Sequence, residues 1–88
     1  MRFDKRALFK KNDLSDTELP VNLTSMGAQQ QQLVFGDTKQ ERVVARFQRP
    51  ISVRTGYFIV EGTNYQILRN ISTKRRTALY GVEYHGRL

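Results

Sequence analysis

The sequence predicts a small all-β domain: a closed or partly open barrel, or a sandwich, of five to seven short antiparallel strands. Three observations carry this expectation. Apolar residues recur at period 2, as where Val43, Ala45 and Phe47 alternate with Val44, Arg46 and Gln48. The alternating runs are short and are separated by turn formers such as Glu61-Gly62-Thr63-Asn64. The chain has 88 residues, enough for one thin core and no second domain. All-β domains of that size usually close on themselves to hide their strand edges.

Taken in order, residues 1–11 read as a first strand. Ala7 and Phe9 share a face, with Leu8 between them. Residues 12–41 are loop-rich. Asn12 to Glu18 is a turn and loop, and Pro20 to Thr24 alternates weakly through Val21 and Leu23 as a short strand. Met26 to Gln32 holds Gly27 and the run Gln29, Gln30, Gln31 and Gln32. Glutamine favours helix, but the glycine and the short length argue against a stable one, so the segment reads as a loop or a single turn. Leu33-Val34-Phe35 before Gly36-Asp37 reads as a strand end and turn.

Residues 42–84 form the main strand meander. After Val43–Phe47, Pro50 stops the ladder because proline lacks the amide donor. Tyr57 to Val60 is a β-branched and aromatic run, and a hairpin follows through Gly62, a structural turn position that calls for positive φ. Tyr65 to Ile71 is the returning strand, with Tyr65, Ile67 and Ile71 on one face and Leu68 on the other. Ser72 to Arg76 is a basic loop. Thr77 to Tyr84 is the last strand, with Ala78, Tyr80, Val82 and Tyr84 facing one way. Residues 85–88 are a tail.

Charge narrows the function. Fifteen lysines and arginines against eight acids give a net +7, which points to polyanionic or acidic partners. Cysteine is absent, which excludes a disulfide framework, a thiolate zinc site and a cysteine nucleophile. The single histidine, His85, rules out a multi-histidine metal site within one copy. Apolar runs of three or four residues are too short for a membrane-spanning helix. The opening residues lack the apolar stretch of a signal peptide, so an intracellular protein, or one assembled intracellularly, is expected.

No constellation reads as an enzyme, a cofactor site or a metal site. Asp13, Asp16 and Glu18 lack the spacing and the glycine of a calcium loop and read as a solvated acidic turn. Ser15, Ser25, Ser52 and Ser72 stand outside any nucleophile motif, and only His85 is available as a base. Gly56 and Gly62 are isolated turn glycines, without a phosphate loop around them.

The basic residues are the main functional signal. Lys74, Arg75 and Arg76 form a three-charge loop between strands, and Arg46, Arg49 and Arg54 are candidates to extend it into a DNA- or partner-facing patch. A solvated charged face is the plainer alternative. Tyr57, Tyr65, Tyr80 and Tyr84 fit wall or core packing better than base stacking.

The order Arg42-Val43-Val44-Ala45-Arg46-Phe47, Arg49-Pro50-Ile51, Gly56-Tyr57-Phe58-Ile59-Val60-Glu61-Gly62, Tyr65-Gln66-Ile67, Ile71 and Val82-Glu83-Tyr84 resembles the head-closure, or stopper, proteins among the head–tail connectors of long-tailed double-stranded DNA phages. Lys5-Arg6-Ala7-Leu8-Phe9 is similar to their first strand. The resemblance covers residues 42–84, about half of the chain. It departs from the family pattern in lacking tryptophan and in the short, glutamine-rich segment 18–41.

The resemblance implies a small barrel with a long inter-strand loop, for which Gln29, Gln30, Gln31 and Gln32 are the channel-loop candidates. It implies a homo-oligomeric ring, dodecameric or hexameric, at the head–tail interface of a virion assembled in the host cytoplasm. The portal or adaptor would lie above it, the tail terminator or tail tube below, packaged double-stranded DNA in the channel, and no membrane would be involved. Two alternatives remain open: a neighbouring tail-terminator ring, and a small basic nucleic-acid-binding barrel of OB-like or ribosomal type.

Overall fold

Six antiparallel strands form in the computed structural model, which describes residues 3, 5–25 and 42–87: β1 (Lys5–Lys10), β2 (Glu18–Ser25), β3 (Arg42–Phe47), β4 (Tyr57–Val60), β5 (Thr63–Ser72) and β6 (Thr77–Glu83). They close into a barrel in the order β1-β2-β3-β6-β5-β4. Strand direction alternates around the barrel. One end therefore carries the β1–β2, β3–β4 and β5–β6 connections, here called the mouth. The far end carries the β4–β5 turn and the points, Ser25 and Arg42, that border residues 26–41.

Period 2 sets the core as expected. Ala7, Phe9, Ala45, Phe47, Phe58 and Val60 all face inward and are at most 2% exposed. Phe9 lies between Phe47 and Phe58, with ring centroids 5.6 and 6.4 Å away, and Phe58 lies against Tyr65 at 5.3 Å. Tilted and offset rings at these separations pack favourably beyond the area they bury.

Several boundaries and faces differ from the sequence reading. The second strand begins at Glu18 and runs through Pro20. Proline is tolerated because β2 pairs with β1 over Glu18–Val21 and with β3 only over Asn22–Ser25, so Pro20 has a ladder partner on one side alone. The β4–β5 turn is confined to Glu61 and Gly62, at φ 51° and 81°, and Thr63 and Asn64 already pair with Val60 and Ile59. Two consecutive left-handed residues are the signature of a type I′ hairpin, and Gly62 occupies the positive-φ position expected of it.

The segment 42–84 is not one meander. β4, β5 and β6 are, but β3 pairs with β6 and lies across the barrel from β4. The connection 48–56 therefore crosses the mouth. Pro50 does end the ladder, yet alternation continues beyond it: Ile51 and Val53 are buried in the core at 5% and 6% exposure, while Ser52 and Arg54 face out.

Ile71 does not share a face with Ile67. Ile67 pairs with Gly81 and Arg69 with Tyr80, so Leu68 is an extra residue, a β-bulge that inverts the parity. Asn70 and Ser72 take the inward positions, and Ile71 turns outward, 46% exposed. Gln29, Gln30, Gln31, Gln32 and the strand end expected at Leu33–Phe35 lie outside the described residues.

Candidate functional site

The mouth is held by side chains rather than by a strand ladder. Thr77, 2% exposed, donates its hydroxyl to Arg49 O at 3.0 Å and accepts from Ile51 N at 2.7 Å. Asn70 Nδ2 donates to Ile51 O at 2.8 Å and to Val53 O at 2.7 Å. Ser72 Oγ lies 2.9 Å from Ile51 O and 3.0 Å from Thr77 Oγ1. Arg49 O, Ile51 N, Ile51 O and Val53 O thus find partners although the crossing segment joins no sheet, as buried backbone groups require.

The β1–β2 loop is tied to the same segment, 48–56, which forms a lid over the mouth. Asn12 Nδ2 donates to Thr55 O at 3.2 Å, and Asn12 Oδ1 accepts from Leu14 N at 2.9 Å. Gly56 sits at φ 97° against this loop, where a β-carbon would lie 2.7 Å from Lys11 O. Glycine is required there by both the dihedral and the contact.

This scaffold positions the basic residues. Lys74, Arg75 and Arg76 ride on a tight turn closed by Thr73 N donating to Arg76 O at 2.8 Å, with Thr73 Oγ1 accepting from Arg76 N at 3.2 Å. All three side chains are exposed, as are Arg49 and Arg54 on the lid. The ion pairs among the described residues are Lys5–Glu61, Arg6–Glu18 and Lys10–Asp16, so none of these five mouth residues is neutralised by a described carboxylate. Arg46 stands on the outer wall of β3, donates to Thr24 Oγ1 at 2.8 Å, and shares a recess with Arg76.

The structure thus brings Lys74, Arg75, Arg76, Arg49 and Arg54 to one end, with Arg46 on the adjoining wall. Ser25 and Arg42, the described residues that border 26–41, lie at the opposite end.

The other candidates have local roles. Asp16 accepts from Lys10 Nζ at 2.6 Å and occupies a left-handed turn position at φ 65°. Ser15 Oγ donates to Asn12 O at 2.7 Å, and Ser72 belongs to the lid network. His85 is exposed beyond β6. Tyr57 and Tyr84 pair on the outer wall at 4.7 Å, with Lys11 Nζ 5.8 Å from the Tyr57 ring centre. Desolvation, then the charge and hydrogen bond of Tyr84, raise the Tyr57 pKa. Desolvation and Glu83 raise that of Tyr65, opposed by a hydrogen bond with Thr63.

Sequence reasoning missed Asn12, Asn70 and Thr77, which fix the mouth. Their partners are 17 to 43 residues away, and no local pattern marks them. No protein-family model, curated protein or solved structure matches the chain.

Proposed function

We propose that the chain is a virion structural protein of a long-tailed double-stranded DNA phage: a head-closure, or stopper, ring subunit that bridges the portal or adaptor assembly to the tail and helps retain packaged DNA. The observation that carries this reading is the β2–β3 connection. Ser25 pairs with Val43, so the two strands are neighbours that a hairpin loop of about two to five residues would join. The chain instead uses residues 26–41. Connections of that length inside a small domain are usually functional. A compact barrel with one long connection is the architecture that the resemblance to stopper proteins implies.

The basic mouth supports the same reading. Cations fixed on a hydrogen-bonded scaffold suit the phosphates of packaged DNA or an acidic face of a neighbouring ring. The paired Tyr57 and Tyr84 stand beside Lys11 and not beside the Lys74–Arg76 turn, where a single-strand binder using that basic loop would place them. Tyr57 pairs in register with Gln66, well before Thr73–Arg76.

The test is deletion of the gene from the phage genome that carries it, with electron microscopy of the lysate. Emptied or tailless heads beside complete free tails are the expected result. Normal infectious particles would overturn the reading and leave a monomeric nucleic-acid-binding barrel to be tested by salt-dependent retention of DNA.

A further inference from the structure

Leu68 and Ile71 are the exposed large hydrophobic residues among those described, at 39% and 46% exposure, and both lie on β5. The bulge puts them there. By inverting parity after Ile67 it sends Asn70 inward to hold the lid and turns Ile71 outward. Bulges commonly re-aim side chains at functional surfaces.

Ile71 lines three adjoining recesses: one shared with Arg46 and Arg76, one with Arg54 and Ser72, and one with Leu68, Arg54 and Arg69. The half-buried Phe3 adds apolar lining to the first. An apolar centre is therefore surrounded by guanidinium groups, and among the described residues Arg54 and Arg76 have no carboxylate partner.

We propose that this wall, centred on Ile71, is a docking surface for an acidic segment of another protein, one that presents an apolar side chain between carboxylates. Arginine binds carboxylates in a planar, bidentate geometry, and an apolar anchor ringed by charged groups is the usual organisation of an interface hot spot. A nucleic-acid backbone would use the arginines but not Leu68 or Ile71, because bases stack on aromatic faces rather than on branched aliphatic chains. A second copy of this chain is also a poor occupant. Asp16, Glu18 and Glu61 are already held by Lys10, Arg6 and Lys5, which leaves Asp13 and Glu83 as the other acids among the described residues. A second copy also carries a net charge of +7, so the complementary charge is assigned to a different, acidic chain. The inference stands whether or not the connector reading holds.

The test titrates the isotopically labelled full chain, followed by NMR, with a synthetic peptide of aspartates and glutamates around one leucine. A matched peptide with asparagine and glutamine in place of the acids, and a DNA oligonucleotide, serve as the comparison probes. Saturable shifts at the Leu68 and Ile71 methyls and at the Arg54 and Arg76 side chains are expected, with the neutral peptide about tenfold weaker or more. Ile71→Ser, at an exposed position, should melt like the wild type and bind the acidic peptide about tenfold more weakly. Three results would each overturn the proposal: no shifts with the acidic peptide at about millimolar concentration, a range in which binding is already very weak; equal binding of the neutral peptide; or oligonucleotide binding at this wall that Ile71→Ser leaves unchanged. Concentration-dependent self-association through this face, abolished by Ile71→Ser, would instead assign it to a second copy and overturn the stated occupant.

Discussion

Replacing Thr77 with valine tests how the barrel mouth is closed. The two side chains are nearly isosteric and both β-branched, so strand preference and packed volume are conserved and the change isolates the hydroxyl. That hydroxyl accepts from Ile51 N at 2.7 Å and donates to Arg49 O at 3.0 Å, on a residue only 2% exposed. In the variant the buried Ile51 amide has no acceptor. Leaving such a donor unsatisfied costs about 1–3 kcal/mol. Arg49 O is nearer the surface and can turn to water, so its share is smaller, and the sum is about 2–3 kcal/mol. For a domain of this size that lowers the melting temperature by roughly 10–20 °C.

The assay is thermal and urea unfolding followed by far-UV circular dichroism, with amide exchange at Ile51. The urea m-value should be unchanged, because the same surface is exposed on unfolding. Thr77→Ser, which keeps the oxygen, should lose only about 1 kcal/mol. A melting temperature for Thr77→Val within about 3 °C of wild type, or an Ile51 amide that exchanges no faster, would refute the lid account.

The other expectations follow from the same geometry. Gly56→Ala should cost about 3 kcal/mol or more, because φ of 97° is combined with a β-carbon only 2.7 Å from a backbone oxygen. Gly62→Val, at φ 81° with open space around it, should cost about 1 kcal/mol, and the reverse order of melting temperatures would show that the contact at Gly56 is misjudged. Changing Lys74, Arg75 and Arg76 together to serine should shift the melting temperature by only a few degrees, since all three are exposed, but under the proposed function it should abolish particle assembly or genome retention; wild-type particle yield would remove that role. The raised pKa values of Tyr57 and Tyr65 mean that their neutral forms contribute stability that is fully present below the unfolded value near 10 and is lost as pH rises through the folded values. Melting temperature should therefore fall above about pH 10, and phenolate absorbance in the folded protein that titrates like free tyrosine would contradict this.

What could be read from the sequence was whatever local alternation decides. Ala7 and Phe9, Ala45 and Phe47, and Phe58 with Val60 face as period 2 requires, whereas length and the need to hide edges pointed to a barrel or a sandwich, of which the chain forms the barrel. Ile71 was misplaced because period 2 presupposes unbroken parity, and nothing in Ile67-Leu68-Arg69 marks a bulge. Ile51-Ser52-Val53-Arg54 carries a readable inward–outward pattern. Pro50 obscured it, because a proline that ends a ladder does not end burial when side chains such as Thr77 and Asn70 replace the missing strand partner. Of the candidate site, the charged residues could be named but not assembled. Arg49 and Arg54 join Lys74, Arg75 and Arg76 only because 48–56 spans the barrel to reach β4, a consequence of strand order that local patterns do not encode.

That crossover also bears on how one small domain would join two unlike assemblies. A subunit in a bridging ring needs two different faces, and in a simple up-and-down barrel both ends are similar short turns. Here the β3–β4 crossover makes one end a lid locked by Thr77, Asn70 and Asn12, rigid enough to fix Arg49 and Arg54 beside the Lys74–Arg76 turn. The opposite end anchors the sixteen residues between Ser25 and Arg42. Fixed cations favour a partner whose negative charge is itself fixed, because neither side then loses much conformational freedom on binding. The opposite end holds none of these five cations. The two ends thus call for different neighbours. Changes at Arg49, Arg54 or Lys74–Arg76 and changes at Glu61, on the turn at the opposite end, should accordingly disrupt different junctions of the proposed assembly rather than the same one.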